Sequence, residues 1–358
     1  MDDDAQVPKE QIILVAESSS LTSASGRAPK FLFVLGAPRS GTSWLQKCLA
    51  QQPGWVTVPE LHYAAEVLRP VLKAWDRKTA RLEEVLTTLE KTGRQPDRVI
   101  GMPASLEFDD LVRMLREPFE VLVERGSRAY GEVDVFIEKT PSNSILTSYL
   151  SQVFPDGYML HVVRDPRAVV RSLRSASAGW GVGWAPRSVL VCALIWRSYA
   201  GGARRAADRA DHYLEVRYED AQGTLPKELS RIRDWIGASA LDLQCVPLEG
   251  VRHEVVSTRV AQSLGSGEVG EPEGFGDGSI TRPELSRRQR WMVEFLTARL
   301  MAEFGYTVQS RTAKWLNRSF EAACDRLVAG VSQRRREELV LNLPLLRLPR
   351  RGRSSRSL

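Results

Sequence analysis

The sequence predicts an α/β domain built on a doubly wound, mostly parallel sheet, with a helical insertion and C-terminal helices added to it. Continuous apolar runs such as FLFVLG, VDVFIEK and YMLHVV suit strands buried on both faces, because a covered parallel strand has no solvent face to alternate with. Helical patterns follow these runs, as where Trp44, Leu45, Cys48 and Leu49 recur at helical spacing after the first. Such alternation belongs to βα units rather than to a sandwich or a bundle.

A chain of 358 residues is long enough for one large domain of this class or for two modest ones. Its 43% hydrophobic and 26% charged residues are ordinary for a globular protein. The net charge of +6 suits an anionic partner, but much of the excess is local: Gln333 to Leu358 carry eight Arg against two Glu. The balance fits an anionic cofactor, with no nucleic-acid partner assigned, and leaves open a weak contact of the basic tail with an anionic surface. Cys48, Cys192, Cys245 and Cys324 stand far apart with no CxxC or Cys/His spacing. That pattern argues against a disulfide framework and a zinc site, and for reduced thiols with no metal. The opening MDDD lacks the basic region of a signal peptide, and VLVCALIW is far too short to span a membrane. The expected location is the cytoplasm.

Taken in order, residues 1–29 are rich in Ser, Ala and acids and read as a disordered leader. The main domain runs over 30–310. FLFVLG is its first strand, TSWLQKCLAQQ its first helix and WVTVP a short extended segment. The stretches YAAEVLRPVLKAW, ARLEEVLTTLEK and DDLVRMLREPFEVLVERG, within about 61–130, read as a helical insertion over one edge of the sheet. VDVFIEK, YMLHVV and HYLEVRY continue the strands. The Gly-rich, acidic stretch at about 263–283 reads as a lid loop, followed by a helix near 284–304. Residues 311–358 supply a last helix and the basic tail. No internal repeat is present, and the oligomeric state is not encoded in any pattern.

The turn GAPRSGTSW joins a buried strand to a helix, where free backbone N–H groups and the helix dipole favour an anion. Gly41 lets the backbone approach a phosphate, Thr42 and Ser43 add hydroxyls, and Arg39 adds charge. Gly36 and Gly41 match the spacing of a nucleotide-hydrolysing P-loop, but Thr42 stands where that loop needs Lys. YMLHVV runs into Arg164 rather than into a magnesium-holding Asp, so a kinase-type enzyme ranks third among the readings. A second anion site is written in HVVRDPRAVVRSL: Arg164 ends a strand, Ser172 lies eight residues on, and Arg167, Arg171 and Arg174 could add field strength.

PRSGTSWL resembles the 5′-phosphosulfate-binding loop of sulfotransferases that use 3′-phosphoadenosine 5′-phosphosulfate (PAPS), in the Arg-type version of the tyrosylprotein and bacterial branches. HVVRDPRAVVRSL is similar to the 3′-phosphate motif of that family. The resemblance implies a P-loop-like fold, a cytoplasmic transferase of the PAPS-dependent class, and PAP as the product nucleotide. By it, Arg39, Ser40, Gly41, Thr42, Ser43 and Trp44 would wrap the 5′-phosphosulfate, with Arg39 neutralising the leaving phosphate. Arg164 and Ser172 would hold the 3′-phosphate, and Tyr218, in HYLEVRYED, would approach the adenine.

Sulfonyl transfer requires an activated acceptor, a stabilised leaving group and in-line placement. Glu60 lies twenty-one residues after Arg39 in PELHYAAEV, and the Arg-type branch has at this spacing a Glu regarded as the general base. His62 is its rival, since imidazole has the better intrinsic pKa. Lys139, in FIEKTP, follows a strand and matches the family's Lys that faces the bridging oxygen or the sulfonate. The implied acceptor is a hydroxyl or amine on a small molecule, carbohydrate or natural product. Trp180 and Trp184 could line its pocket or belong to the core. The likeness is good over the two motifs, fair over 31–240 and fades beyond 250. The alternative from another class is a non-catalytic module that binds anions or membranes on a PAPS-like fold.

Overall fold

The computed structural model describes residues 28–92, 103, 105–179, 181, 184–237 and 284–327. The leader up to residue 27, the lid loop at 263–283 and the tail from 328 lie outside the described residues. The strands are β1 (Lys30–Leu35), β2 (Trp55–Thr57), β3 (Val135–Glu138), β4 (Tyr158–Val163) and β5 (His212–Arg217). The helices begin with α1 (Thr42–Leu49), α2 (Arg69–Thr92), α3 (Phe108–Tyr130), α4 (Thr147–Val153) and α5 (Pro166–Ala178). They continue with α6 (Val189–Arg204), α7 (Tyr218–Gly223), α8 (Leu225–Ile236), α9 (Arg287–Glu303) and α10 (Arg311–Leu327).

All five strands join one sheet in the order β2-β3-β1-β4-β5, and every neighbouring pair is parallel. The chain starts at the central strand, builds β2 and β3 on one side, then crosses to β4 and β5 on the other. Loops leaving β1 and its neighbours therefore diverge at their carboxyl ends, which opens a crevice at the switch point.

Alternation along β1 explains the two layers of helices. Leu32 and Val34 join Ile137, Leu160 and Val162 on one face, under Leu45, Cys48 and Leu49 of α1 and Ile232 and Ile236 of α8. Phe31, Phe33 and Leu35 point to the other, where they meet Leu68, Leu72, Leu111, Leu115 and Phe119. Phe119 of α3 sits edge-on or tilted against Phe31, Phe33, Phe136 and Phe154, with ring centroids 4.8–6.1 Å apart. The helices expected to lie over an edge of the sheet thus cover a face of its central strand. Each phenyl ring withdrawn from water contributes about 1.5–3 kcal/mol, which an edge position would forfeit.

A third cluster joins α5, α6 and α9 through Val169, Leu173, Cys192, Trp196, Val293, Leu296 and Met301. Helix α9 opens with a reciprocal cap, Ser286 with Gln289, which satisfies amide groups that a helix start leaves bare. Asn317 ties α10 to it, accepting from the Arg299 N–H at 3.0 Å and donating to the Phe295 carbonyl at 2.6 Å. Among the described residues no helix is long and apolar enough to cross a membrane.

Candidate active site

The carboxyl ends of all five strands supply the residues singled out by the sequence. The loop 36–41 follows β1, Glu60 follows β2, Lys139 follows β3, Arg164 follows β4 and Tyr218 follows β5. Ser144, fully buried in the turn after β3, anchors the loop: its Oγ accepts from the Gly36 N–H at 2.7 Å and donates to the Gly36 carbonyl at 3.1 Å.

Arg39 has φ of 72°, left-handed for a side chain with a Cβ, at a cost of roughly 1–2 kcal/mol. Two contacts hold it there. Its Nε donates to Ser172 Oγ at 3.0 Å, and its carbonyl accepts from the Arg164 guanidinium at 3.2 Å. The two basic motifs, far apart in sequence, therefore touch directly. Gly41, φ 93°, caps α1, and a Cβ there would fall 2.2 Å from Cδ2 of Tyr218. The Tyr218 ring packs edge-on to Trp44 at 5.5 Å, with the Arg164 guanidinium 4.2 Å from its centroid. It is 8% exposed, so it forms part of the wall of the cradle.

The cradle suits an anionic group. Helix α1 begins without a side-chain cap or an acid in its first turn, leaving its amide N–H groups and positive dipole end for a ligand. Ser40 is 1% exposed, and its Oγ has no hydrogen-bond partner among the described residues. Thr42 is buried beside it, whereas Ser43 is exposed.

A second cluster lies across β3. The Lys139 ammonium, nearly buried, donates to Glu60 Oε1, and His62 Nε2 stands 3.7 Å from Glu60 Oε2. Glu60 is 38% exposed and so open to a substrate. Burial and the nearby Glu60 carboxylate push the Tyr199 hydroxyl up to about 12, keeping it protonated. Glu138, 1% exposed, accepts from the Thr140 hydroxyl, the Asn143 amide and the Leu61 backbone N–H. Burial pushes its carboxyl up to about 7, against these hydrogen bonds.

Sequence reasoning passed over Glu138, Ser144 and Trp196, whose indole N–H holds the Arg164 carbonyl at 2.9 Å. Each acts on backbone or on a distant segment, so no local pattern marks it. Arg167 departs from its expected contribution to the field. It pairs with Asp165 at 2.6 Å and Glu294 at 3.1 Å, so its charge is balanced within the protein. Trp184 packs on the α5–α6–α9 cluster, and Trp180 lies outside the described residues. Among the described residues no group of three or more His, Cys, Asp or Glu could hold a metal. A groove of about 460 Å³ between α9 and α10 contains none of the strand-tip residues, and its ion pairs, such as Arg299–Asp325, already balance its charge.

Over 155 residues the chain is 28% identical to nodulation protein NoeE of Sinorhizobium fredii (strain NBRC 101917 / NGR234). That match covers 43% of this chain and 32% of NoeE, so the chain spans about a third of that relative. A sulfotransferase domain from the curacin biosynthetic pathway superimposes with a TM-score of 0.46 at 16% identity, over 79% of this chain and 99% of that one. The sulfotransferase domain of the Synechococcus PCC 7002 olefin synthase gives 0.42 at 20%, over 81% and 100%. The model of the sulfotransferase family matches residues 29–242, a stretch that holds the loop after β1, Glu60, Lys139, Arg164 and Tyr218. With more than half of its length matched in this way, the chain belongs to the sulfotransferase family.

Proposed function

We propose that this sulfotransferase moves a sulfonate group from PAPS to an acceptor hydroxyl or amine by in-line displacement, with Glu60 as general base. The observation that carries the reading is the direct contact of the two basic motifs: Arg39 on Ser172, and Arg164 on the Arg39 carbonyl. Two anion sites side by side suit a donor with phosphate at both ends, and motifs on opposite faces would not. The buried Ser40 hydroxyl, unpartnered among the described residues, supports the fit.

Residues Arg39 to Trp44 hold the 5′-phosphosulfate, Arg164 and Ser172 the 3′-phosphate, and Tyr218 lies toward the adenine. Bound PAPS supplies the sulfonate and leaves as PAP. The chain's own residues do the rest. Glu60 takes the acceptor proton from the open side of its carboxylate. The Lys139 ammonium and the Arg39 guanidinium offset negative charge at the transferring and leaving oxygens. His62, 3.7 Å from Glu60, is the alternative base. Glu60→Gln and His62→Gln separate the two, since loss of the base lowers turnover while PAP still binds. The acceptor class is a small molecule, carbohydrate or natural product.

The test is calorimetry or thermal shift with PAP against ATP–Mg. PAP at a hundredfold excess over its Kd stabilises the protein by about 2.7 kcal/mol. A response to ATP–Mg with none to PAP overturns the reading. Labelled PAPS screened across sugars, phenols and amines then identifies the acceptor; transfer to none of them leaves the non-catalytic module as the better account.

A further inference from the structure

Glu138 is a carboxylate with no access to solvent, and neither oxygen is spare. One accepts from Thr140, the other from Asn143, and the Leu61 backbone N–H also donates to the group. Thr140 Oγ1 in turn accepts from the His62 N–H at 3.2 Å. Leu61 and His62 are the two residues that follow Glu60, and Thr140 is the neighbour of Lys139. The segment carrying the proposed base and the turn carrying the ammonium are thereby laced together through one buried acid. The lacing has something to hold, because His62 has φ of 53°, a left-handed backbone costing roughly 1–2 kcal/mol for a residue with a Cβ. A fixed backbone at 61 and 62 limits where the Glu60 carboxylate can stand against Lys139.

We infer that Glu138 is a positioning residue: through Leu61, Thr140 and His62 it sets the Glu60 carboxylate against the Lys139 ammonium. The inference rests on the reading of Glu60 as base. Burying a carboxylate is expensive, and at a strand end an apolar side chain would fill the space at lower cost. What an apolar side chain cannot do is accept from three donors on two separate segments. Glutamine cannot do so either, since it offers one acceptor oxygen and turns an NH₂ group toward donors.

The experiment compares Glu138→Gln, Glu60→Gln and the double variant in the intact chain. Amide exchange at Leu61 and His62 is expected to rise at least about tenfold in Glu138→Gln, with no acceptor needed for the measurement. With labelled PAPS and the best acceptor of the sugar, phenol and amine panel, kcat falls by about tenfold or more, while KM for PAPS and the thermal shift with PAP hold within about twofold. In the Glu60→Gln background, Glu138→Gln causes no further loss, because the group it positions is already gone. An undiminished kcat in Glu138→Gln, or an equal loss with and without Glu60, overturns the inference. Full turnover in Glu60→Gln overturns the base assignment first and this inference with it, so the two failures are distinct. Should Glu138→Gln not fold, Thr140→Val removes the hydroxyl link to His62 at nearly constant shape and is judged by the same measurements.

Discussion

Gly41→Ala tests whether the cradle depends on the close approach of its backbone to Tyr218. The added Cβ would lie 2.2 Å from Cδ2 and 2.5 Å from Cε2 of that ring, far inside van der Waals contact. It would also sit on a backbone with φ of 93°, which costs about 1–2 kcal/mol for a residue other than glycine. The ring cannot retreat freely, because Trp44 stands 5.5 Å away on one side and the Arg164 guanidinium 4.2 Å away on another. Forcing it aside adds about 1–3 kcal/mol of overpacking. The total, about 2–5 kcal/mol, should lower Tm by about 4–10 °C at the roughly 2 °C per kcal/mol expected of a large domain. PAP affinity should fall as well, since Arg164 moves with the ring it covers. Thermal melts and PAP calorimetry of Gly41→Ala, Tyr218→Ala and the double variant resolve the two contributions. Removing the ring should relieve the clash but leave the φ cost, so the double variant is less destabilised than the sum of the singles. A Gly41→Ala protein with unchanged Tm and PAP affinity would refute the reasoning.

Other outcomes follow from the same contacts. Arg39→Ala and Arg164→Ala should each cut PAPS-dependent transfer by at least about 10²-fold in a labelled-donor assay, since each removes a charged donor from a developing or fixed negative charge. Ser144→Ala deletes the hydroxyl that both accepts from and donates to Gly36, and in a fully buried site this should cost about 1–3 kcal/mol in denaturant unfolding. His161, fully buried with Nδ1 2.8 Å from the Tyr213 hydroxyl, is pushed by burial from its ordinary value down to about 3. A depressed folded-state value means that its neutral ring supports the fold above about pH 6.5 and loses that support as pH falls toward 3. Urea unfolding should therefore become easier by up to about 1.4 kcal/mol per pH unit over that window, and His161→Phe should flatten the slope by that amount.

Much of the scaffold is legible in the sequence because strand burial is a local signal. FLFVLG, YMLHVV and HYLEVRY are strands β1, β4 and β5 within a residue or two, and the Gly-containing turn before TSWL opens a helix at Thr42. The cover over the central strand was harder to foresee. An amphipathic helix announces that it has a buried side, but not which surface it buries, and only Phe119 among four phenyl rings reveals that α3 lies on the face of β1.

The same division runs through the candidate site. The sequence alone determined the fold class, the family and the residue types offered at each strand end, because a strand–turn–helix motif is continuous in the chain and its spacing is set by backbone geometry. Only the tertiary structure decided that Arg39 rests on Ser172, that Lys139 meets Glu60, that Arg167 is balanced by Glu294, and that Glu138 ties two segments together. Those partners are separated by tens to more than a hundred positions. Their meeting depends on the order in which five parallel strands lie side by side, which no local stretch of sequence records.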